Sequence, residues 1–313
     1  MRSLVAVLLL ASAARADLTS AARSAVQSGN LAAADQFIHA YAAKNGPNPE
    51  LAVAVSWMAR DLLDSGLYVE ADSHAAEARK YALAQLGPRK LDTNPDLALA
   101  LGASIEVHAQ ALARQGRRSE AVAFLNSELP RWKDTSIQPR IQKNLNLLTL
   151  EGHPAPAIAI SQWTGTVQPQ PLSALRGHPV LLFFWAHWCS DCKAEAPIIQ
   201  ALNAKYGQRG LKIVAPTMRY GYAAGGEEAT PAQEDAWIEA TRKRYYSIIG
   251  AVPTPISEET LFRYGVSTTP TLVLVDSGGV VRLYHPGAMP YEELASQIEK
   301  LFSKSSPTLR SQL

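Results

Sequence analysis

The chain has 313 residues, a formal net charge of +2 at pH 7 and 47% hydrophobic residues. This length suits about two domains, and the apolar content is that of a globular protein. The nearly balanced charge gives no basis for nucleic-acid binding. Only two cysteines are present, so a framework of disulfides is excluded and stability must come from packed cores.

The N-terminus has the three parts of a secretory signal peptide. Residues 1–3 carry a positive charge, residues 4–12 form an apolar core, and Ala14-Arg15-Ala16 fits a small-x-small cleavage site. We therefore expect a signal peptide at 1–16 and an exported, soluble protein in a bacterial periplasm. The apolar run is short for a membrane span, and an uncleaved membrane anchor remains the alternative.

From residue 17 to residue 150 the chain is rich in Ala, Leu, Glu, Arg and Gln and shows no strand pattern, which predicts an α-helical domain. One local pattern recurs in it, a turn glycine followed five residues later by an alanine. The pairs are Gly29 with Ala34, Gly66 with Ala71, and Gly116 with Ala121. The pattern indicates that a helix ends at each glycine and that the next helix packs closely.

The pattern recurs at or beyond the roughly 34-residue period of helix-turn-helix repeats, with extra residues expected near Gly87-Pro88 and Asn94-Pro95. This half resembles a degenerate tetratricopeptide-like array, in which the aromatic and proline positions of the repeat are only partly present. The resemblance implies stacked helix pairs with a concave surface that holds a partner, here of unknown identity. An unrelated helical bundle remains the alternative. The aromatic side chains expected in the core are Trp57, Tyr68, Tyr81 and Trp132.

A glycine and two prolines interrupt the helical pattern at 151–156, which predicts a linker there and a second domain at 157–303. Strands are predicted at 180–185, 211–215, 271–275 and 280–284, and helices from 189, at 231–246 and at 291–302. Strands that alternate with helices and end in a hairpin predict an α/β fold with a central mixed sheet. The polar tail at 304–313 is expected to be flexible.

The two cysteines lie where the predicted strand 180–185 meets the following helix. Cys189 is at the helix N-terminus, where backbone N–H groups and the helix dipole stabilise a thiolate. Cys192 is one turn further on, so the two sulfurs can form or break a disulfide with little backbone movement. The spacing predicts that Cys189 is the exposed nucleophile that attacks a partner disulfide, and that Cys192 resolves the mixed disulfide.

Two other uses of the cysteine pair remain open from the residues alone. A structural zinc site needs four ligands, and the sequence has neither a second cysteine pair nor a paired histidine motif. A purely structural disulfide would close a loop too short to constrain the unfolded chain strongly. Redox chemistry fits the pair better than either use, and no cofactor and no metal is expected.

The segment from about 155 to 303 resembles the thioredoxin superfamily, and within it the exported TlpA/ResA-like thiol–disulfide oxidoreductases. The matching pieces are Leu172-Ser-Ala-Leu-Arg-Gly177, Phe184-Trp-Ala-His-Trp-Cys189 through Cys192-Lys-Ala-Glu195-Ala-Pro197, and Tyr264-Gly-Val-Ser-Thr-Thr-Pro270-Thr-Leu-Val. The resemblance implies reduction of disulfides in client proteins, for example in cytochrome c maturation, with electrons from a membrane reductant.

The resemblance also implies roles for residues near the cysteines. Pro270 matches the family's cis-proline, and with Thr269 it would receive the client peptide in strand-like pairing. Glu195 is three residues after Cys192 on the same helix face, where the family carries a functional glutamate. A carboxyl group shielded there would have a raised pKa and exchange a proton with Cys192. Trp188 is expected to frame the client site. An ordinary trans proline and an exposed helix glutamate are the alternatives.

Two departures from thioredoxin bear on the direction of electron transfer. Phe183 stands where thioredoxin has a buried aspartate, which leaves Glu195 as the nearby carboxyl group on the helix. Asp191 lies between the cysteines, and its negative charge disfavours thiolates and so favours a reductant. A disulfide-donating oxidase remains an alternative. So does a scaffold or adaptor whose helical domain binds partners while the cysteine pair acts as a switch.

One stretch of the second domain, 217–255, is longer than the compact thioredoxin plan requires. Within it, Thr230-Pro231-Ala-Gln233 has the pattern of a helix start, with an N-cap, a proline at the first helical position and a capping-box glutamine. The predicted helix either shapes the client groove or is a plain surface insertion.

Overall fold

A computed structural model describes residues 18–303, and its contacts divide the chain into two compact units, with the division between Asn144 and Leu145. The predicted signal peptide and the predicted flexible tail lie outside the described residues. Across residues 18–303, we find no helix with the length and apolar character that a membrane crossing requires.

The described part of the first unit is helical, as the sequence predicts. Residues 18–27 form α1. The further helices are α2 (Leu31–Asn45), α3 (Pro49–Asp64), α4 (Tyr68–Leu86), α5 (Pro95–Arg114), α6 (Arg118–Arg131) and α7 (Gln138–Thr149), and the division between the units falls within α7.

The three glycines singled out in the sequence end α1, α3 and α5. Gly29, Gly66 and Gly116 adopt left-handed backbone conformations with φ of 77°, 79° and 81°. At each turn the glycine and the next residue donate their amide hydrogens to carbonyls of the last helical turn, which is the Schellman arrangement. The paired alanines Ala34, Ala71 and Ala121 are fully buried. The expected close helix packing is therefore confirmed.

Asparagine caps start the two most buried helices of this unit. Asn48 and Asn94 each accept backbone N–H groups through their side chains, and a proline occupies the first position of α3 and of α5. Helix α3 contacts both α4 and α5. Of the four aromatic residues expected in the core, only Trp132 is buried, and the others are half-buried. The assignment to a tetratricopeptide-like repeat stays a prediction.

The second unit alternates strands and helices. Its elements are β1 (Trp163–Thr164), β2 (Val180–Phe184), α8 (Ser190–Tyr206), β3 (Lys212–Val214), α9 (Pro231–Thr241), β4 (Thr254–Pro255), α10 (Glu258–Arg263), β5 (Thr271–Val275), β6 (Val281–Pro286) and α11 (Tyr291–Ser303). The main sheet has the strand order β3-β2-β5-β6, with β2 and β3 parallel and the other pairs antiparallel. The predicted mixed sheet is confirmed, and its central strands β2 and β5 are buried throughout.

The segment predicted as a linker, 151–156, hydrogen-bonds within the second unit. Gly152 donates its amide hydrogen to the carbonyl of Val281, and Ala155 donates to the carbonyl of Gly279. Val281 is the first residue of β6 and Gly279 lies two residues before it, so the segment satisfies its backbone amides where that strand begins. The exact domain limits of 17–150 and 157–303 stay predictions.

Candidate active site

The two cysteines lie where the buried strand β2 leads into α8, as predicted. Cys189 is the N-cap of α8, and its sulfur accepts the backbone N–H of Cys192 at 3.0 Å. The cysteines are joined by a disulfide, with their Cα atoms 5.3 Å apart. Cys189 was expected to be exposed, and this is wrong: it is 4% exposed, against 0% for Cys192. Neighbouring segments from elsewhere in the chain cover it.

One of those segments is the turn before β5. The Thr269–Pro270 peptide bond is cis, as predicted, and Pro270 is buried directly before β5. The carbonyl oxygen of Thr269 lies 3.4 Å from Cys189 Sγ. The structure therefore brings Thr269, Pro270 and Cys189 together across the active-site end of the sheet.

Glu195 points into the protein and is 3% exposed, so it is not the exposed helix glutamate of the alternative interpretation. Its Oε1 accepts the backbone N–H of Met289 at 3.4 Å. Burial raises the pKa of the Glu195 carboxyl group, and the bond from Met289 offsets part of that rise. A carboxyl group in this state can hold a proton closer to neutral pH than a surface glutamate can.

Aromatic side chains surround the cysteine pair. Trp188 is 48% exposed and meets the ring of Tyr220 edge to face at 5.5 Å. Trp185 is buried, and its indole N–H donates to the carbonyl of Ala215 at 3.0 Å. Phe183 is buried as well. Trp188 thus presents an exposed apolar face beside Cys189, whereas Trp185 and Phe183 belong to the core.

Two residues beside the site, His187 and Glu234, were not predicted from the sequence. His187 is 1% exposed, and its Nε2 lies 3.1 Å from Oε1 of Glu234, which is also 1% exposed. The same carboxylate accepts backbone N–H groups from Tyr220 at 2.5 Å and Gly221 at 2.9 Å. No local pattern could reveal the pair, because 47 residues separate its members.

The insertion at 217–255 contributes Glu234 through helix α9. The predicted capping box is confirmed: Thr230 and Gln233 exchange side-chain and backbone hydrogen bonds, and Pro231 opens the helix. Glu234 is the residue after the capping-box glutamine, in the first turn of α9. The insertion is therefore connected to the active site through a buried hydrogen bond.

The arrangement can perform thiol–disulfide exchange. It has a sulfur at a helix N-terminus, a second sulfur one turn away and a buried carboxyl group on the same helix. Over residues 18–303, we find no group of three or more His, Cys, Asp or Glu side chains placed to hold a metal ion.

Comparison with known proteins agrees with this geometry. Residues 172–302 match the family model of the thioredoxin-like domain. The C-terminal part of the chain therefore contains a thioredoxin-like domain.

This part of the chain is similar to proteins named as thiol–disulfide oxidoreductases or as thioredoxin-like proteins. Thiol-disulfide oxidoreductase ResA of Oceanobacillus iheyensis is 28% identical over 161 residues, which cover 51% of this chain and 77% of that protein. Thioredoxin-like protein YneN of Bacillus subtilis is 27% identical over 150 residues, which cover 48% and 79%. The crystal structure of a candidate thiol:disulfide interchange protein DsbE from Chlorobium tepidum aligns with 28% identity and a TM-score of 0.39, covering 48% of this chain and 96% of that one.

Proposed function

We propose that this protein is an exported reductase of disulfides in client proteins, with Cys189 as nucleophile, Cys192 as resolving cysteine and Glu195 as proton acceptor. The observation that carries the proposal is the position of Cys189, at the N-terminus of α8 and 3.4 Å from the Thr269 carbonyl before Pro270. A client strand that pairs with the backbone at Thr269 would bring its disulfide to this sulfur.

The reaction transfers two electrons and two protons from the enzyme to the client. The Cys189 thiolate attacks one client sulfur, an intermolecular disulfide forms, and the second client sulfur leaves and takes a proton. Cys192 then loses its proton and attacks Cys189 Sγ, which releases the first client sulfur as a thiol. The enzyme ends as the Cys189–Cys192 disulfide and needs a dithiol donor, which we place at the membrane, to be reduced again.

Glu195 is suited to the second step. It is three residues beyond Cys192 on α8 and is buried, so its carboxyl group takes up a proton at a higher pH than a surface glutamate does. Cys192 is fully buried and must lose its proton without direct help from solvent. A neighbouring buried carboxylate supplies the acceptor for that proton.

The direction of electron flow is part of the proposal. Asp191 is exposed in the first turn of α8, and its negative charge opposes thiolate formation at both cysteines. A reduced form that lacks special stabilisation makes the pair a reductant. A reduction potential near or below thioredoxin's roughly −270 mV supports this direction, and a value approaching about −120 mV would make the protein an oxidase.

The mixed disulfide tests exchange catalysis directly. In the full-length protein, Cys192→Ala should accumulate client proteins bound through Cys189, because the resolving thiol is absent. The matched control is the double variant Cys189→Ser with Cys192→Ala, which should trap none. If the single variant traps no more client than the double variant does, exchange catalysis is rejected.

Export is tested separately, by N-terminal sequencing for a mature start at Asp17.

A second candidate is an adaptor role of the helical unit, which one observation favours. A cavity of about 370 Å³ is lined by side chains of α1, α3, α5 and α7, among them Arg23, Trp57, Arg60, Glu106 and Arg140. The guanidinium groups of Arg23 and Arg60 approach the Trp57 ring at 4.4 and 4.9 Å. If Trp57→Ala abolishes function in cells while insulin reduction by the full chain is unchanged, partner binding is the essential role.

A further inference from the structure

Two buried ionisable side chains lie beside the cysteine pair, and the reaction described above does not use them. His187 and Glu234 are each 1% exposed. Burying a carboxylate and an imidazole is unfavourable unless both groups are paired, and an apolar pair would often be at least as stable. Their position therefore calls for an explanation beyond packing.

The hydrogen bonds of Glu234 determine which nitrogen of His187 carries the proton. Oε1 faces His187 Nε2 at 3.1 Å and also accepts the amide of Tyr220, while Oε2 accepts the amide of Gly221. A carboxylate only accepts, so Nε2–H donates to it. Nδ1 is then the nitrogen that gains or loses a proton. It is buried, and we find no hydrogen-bond partner for it among the described residues.

The pair is close to the nucleophile through the chain itself. The amide of Cys189 donates to the carbonyl of Ala186 at 3.1 Å, so Ala186 to Cys189 form a hydrogen-bonded turn with His187 as its second residue. Two trans peptide bonds place the Cα atoms of His187 and Cys189 within about 7.6 Å. A charge on the pair acts on Cys189 through buried protein, where solvent and salt screen it weakly.

We propose that Glu234 and His187 are positioning residues that set the redox behaviour of Cys189, an inference that rests on the proposed function. With His187 neutral the pair carries a charge of −1, which disfavours the Cys189 thiolate and strengthens the protein as a reductant. Protonation of His187 at Nδ1 cancels that charge and removes the effect.

The surroundings of His187 keep it neutral near pH 7. Burial lowers the pKa of His187, Glu234 of α9 opposes that shift, and Lys193 of α8 lowers it further. The rings of Tyr220 and Tyr222 meet the imidazole edge to face at 5.7 and 5.5 Å. These are the titratable groups that face it from α9, from α8 and from the loop after β3.

Reduction potentials of full-length variants test the proposal. Glu234→Gln removes the charge and keeps the shape, so the thiolate gains stability and the exchange equilibrium with glutathione should shift toward the dithiol form. Measured at a pH high enough to ionise Cys189 in both proteins, the equilibrium should shift about tenfold, as expected for two charges about 10 Å apart at an effective dielectric constant of about 20. That shift corresponds to a potential about 30 mV higher.

Asp235→Asn is the matched control. Asp235 is the next residue on α9, its side chain is 38% exposed, and it pairs with Arg219 at 2.7 Å. Asp235→Asn removes the same charge from the same helix without touching His187. It should change the exchange equilibrium with glutathione by less than about twofold, as expected for a screened surface group. Equal potentials in wild type and in Glu234→Gln would overturn the proposal.

A measurement on the chain without substitutions at His187 or Glu234 decides the matter if Glu234→Gln fails to fold. Linkage requires that His187 and a negative charge at Cys189 affect each other equally. The NMR titration of His187, assigned through His187→Gln, should therefore have a higher midpoint after reduced Cys189 is alkylated with iodoacetate, which leaves a carboxylate there, than after alkylation with iodoacetamide, which leaves a neutral amide. Identical midpoints would also overturn the proposal. Absence of any thiol exchange would reject the proposed function itself, whereas working exchange with an insensitive potential would reject only this inference.

Discussion

The Thr269 carbonyl oxygen lies 3.4 Å from the sulfur of Cys189, although 80 residues separate them in the chain. In the disulfide this sulfur has no hydrogen to donate, but the reduced thiol can donate to the oxygen. A thiolate would instead face the negative end of the carbonyl dipole. Thr269 therefore opposes the stabilisation that the N-terminus of α8 gives to the Cys189 thiolate.

Asp191 opposes the thiolate from the solvent side. We expect Asp191→Asn to raise the reduction potential, because the exposed carboxylate no longer repels negative sulfur in the first turn of α8. The shift should be about two- to threefold in the exchange equilibrium at low salt, and smaller at about 1 M salt, where the Debye length is about 3 Å. Equilibration with glutathione at both salt concentrations measures it. A shift independent of salt would contradict a surface charge effect.

The raised pKa of Glu195 predicts how the rate of the resolving step depends on pH. In its proposed role as the base for Cys192, Glu195 acts only when ionised, so the rate of mixed-disulfide resolution should rise as pH passes through its raised pKa. Glu195→Gln should remove this limb of the profile and slow resolution by at least about tenfold, the lower part of the range for general base catalysis. Single-turnover kinetics with a preformed mixed disulfide provide the measurement.

Glu195→Gln, which should slow resolution, should also increase the stability of the protein at neutral pH. Burial raises the pKa of Glu195 above its ordinary value of 4.5, so the native state holds a proton that the unfolded state releases as pH rises. The favourable contribution of Glu195 to the free energy of unfolding is complete below about pH 4.5 and is lost as pH rises through the native pKa. Glu195→Gln should therefore be more stable than wild type at neutral pH, with the difference vanishing in acid. Denaturant unfolding at both pH values checks the sign.

The parts of the site that could be predicted from sequence are those with local signals. The cysteine pair, the capping box before α9 and the turn glycines depend on residues within one or two turns of each other. The position of Pro270 followed from family resemblance rather than from local physics. All of these features are present in the structure.

The features that escaped prediction depend on distant parts of the chain or on very short elements. Burial of Cys189 involves Thr269, and burial of His187 involves Glu234, pairs that no periodicity connects. Strands β1 and β4 have two residues each, and α10 has six, which is too short for a hydrophobic pattern to emerge.

Gly66 gives a prediction for the helical unit. Its φ of 79° is left-handed, and a Cβ atom placed there would meet nothing within 4 Å. Gly66→Ala should thus destabilise the protein through backbone strain alone, by about 1 kcal/mol. Gly66→Asn should lose less stability than Gly66→Ala, since asparagine tolerates this backbone conformation better than alanine does. Thermal unfolding of the two variants measures the difference, and equal losses would point to packing instead.

Glu128 gives the sharpest stability prediction. This carboxylate is 4% exposed and accepts hydrogen bonds from Arg79 Nη2 at 2.6 Å and from Trp132 Nε1 at 2.9 Å. Glu128→Ala would leave the Trp132 indole N–H unsatisfied in the core and the guanidinium of Arg79 without its partner. We expect a loss of about 3 kcal/mol in the free energy of unfolding.

The control for Glu128 is Glu120 on the same helix, α6. Glu120 pairs with Arg117 at 2.7 Å, but both side chains are exposed, so Glu120→Ala should change stability little. Urea unfolding of both variants at neutral pH makes the comparison. Since Trp132 contacts Glu128 directly, its fluorescence should report the loss of that hydrogen bond in the native state of Glu128→Ala and remain unchanged in Glu120→Ala. Similar stabilities in the two variants would mean that burial does not strengthen the Glu128 network.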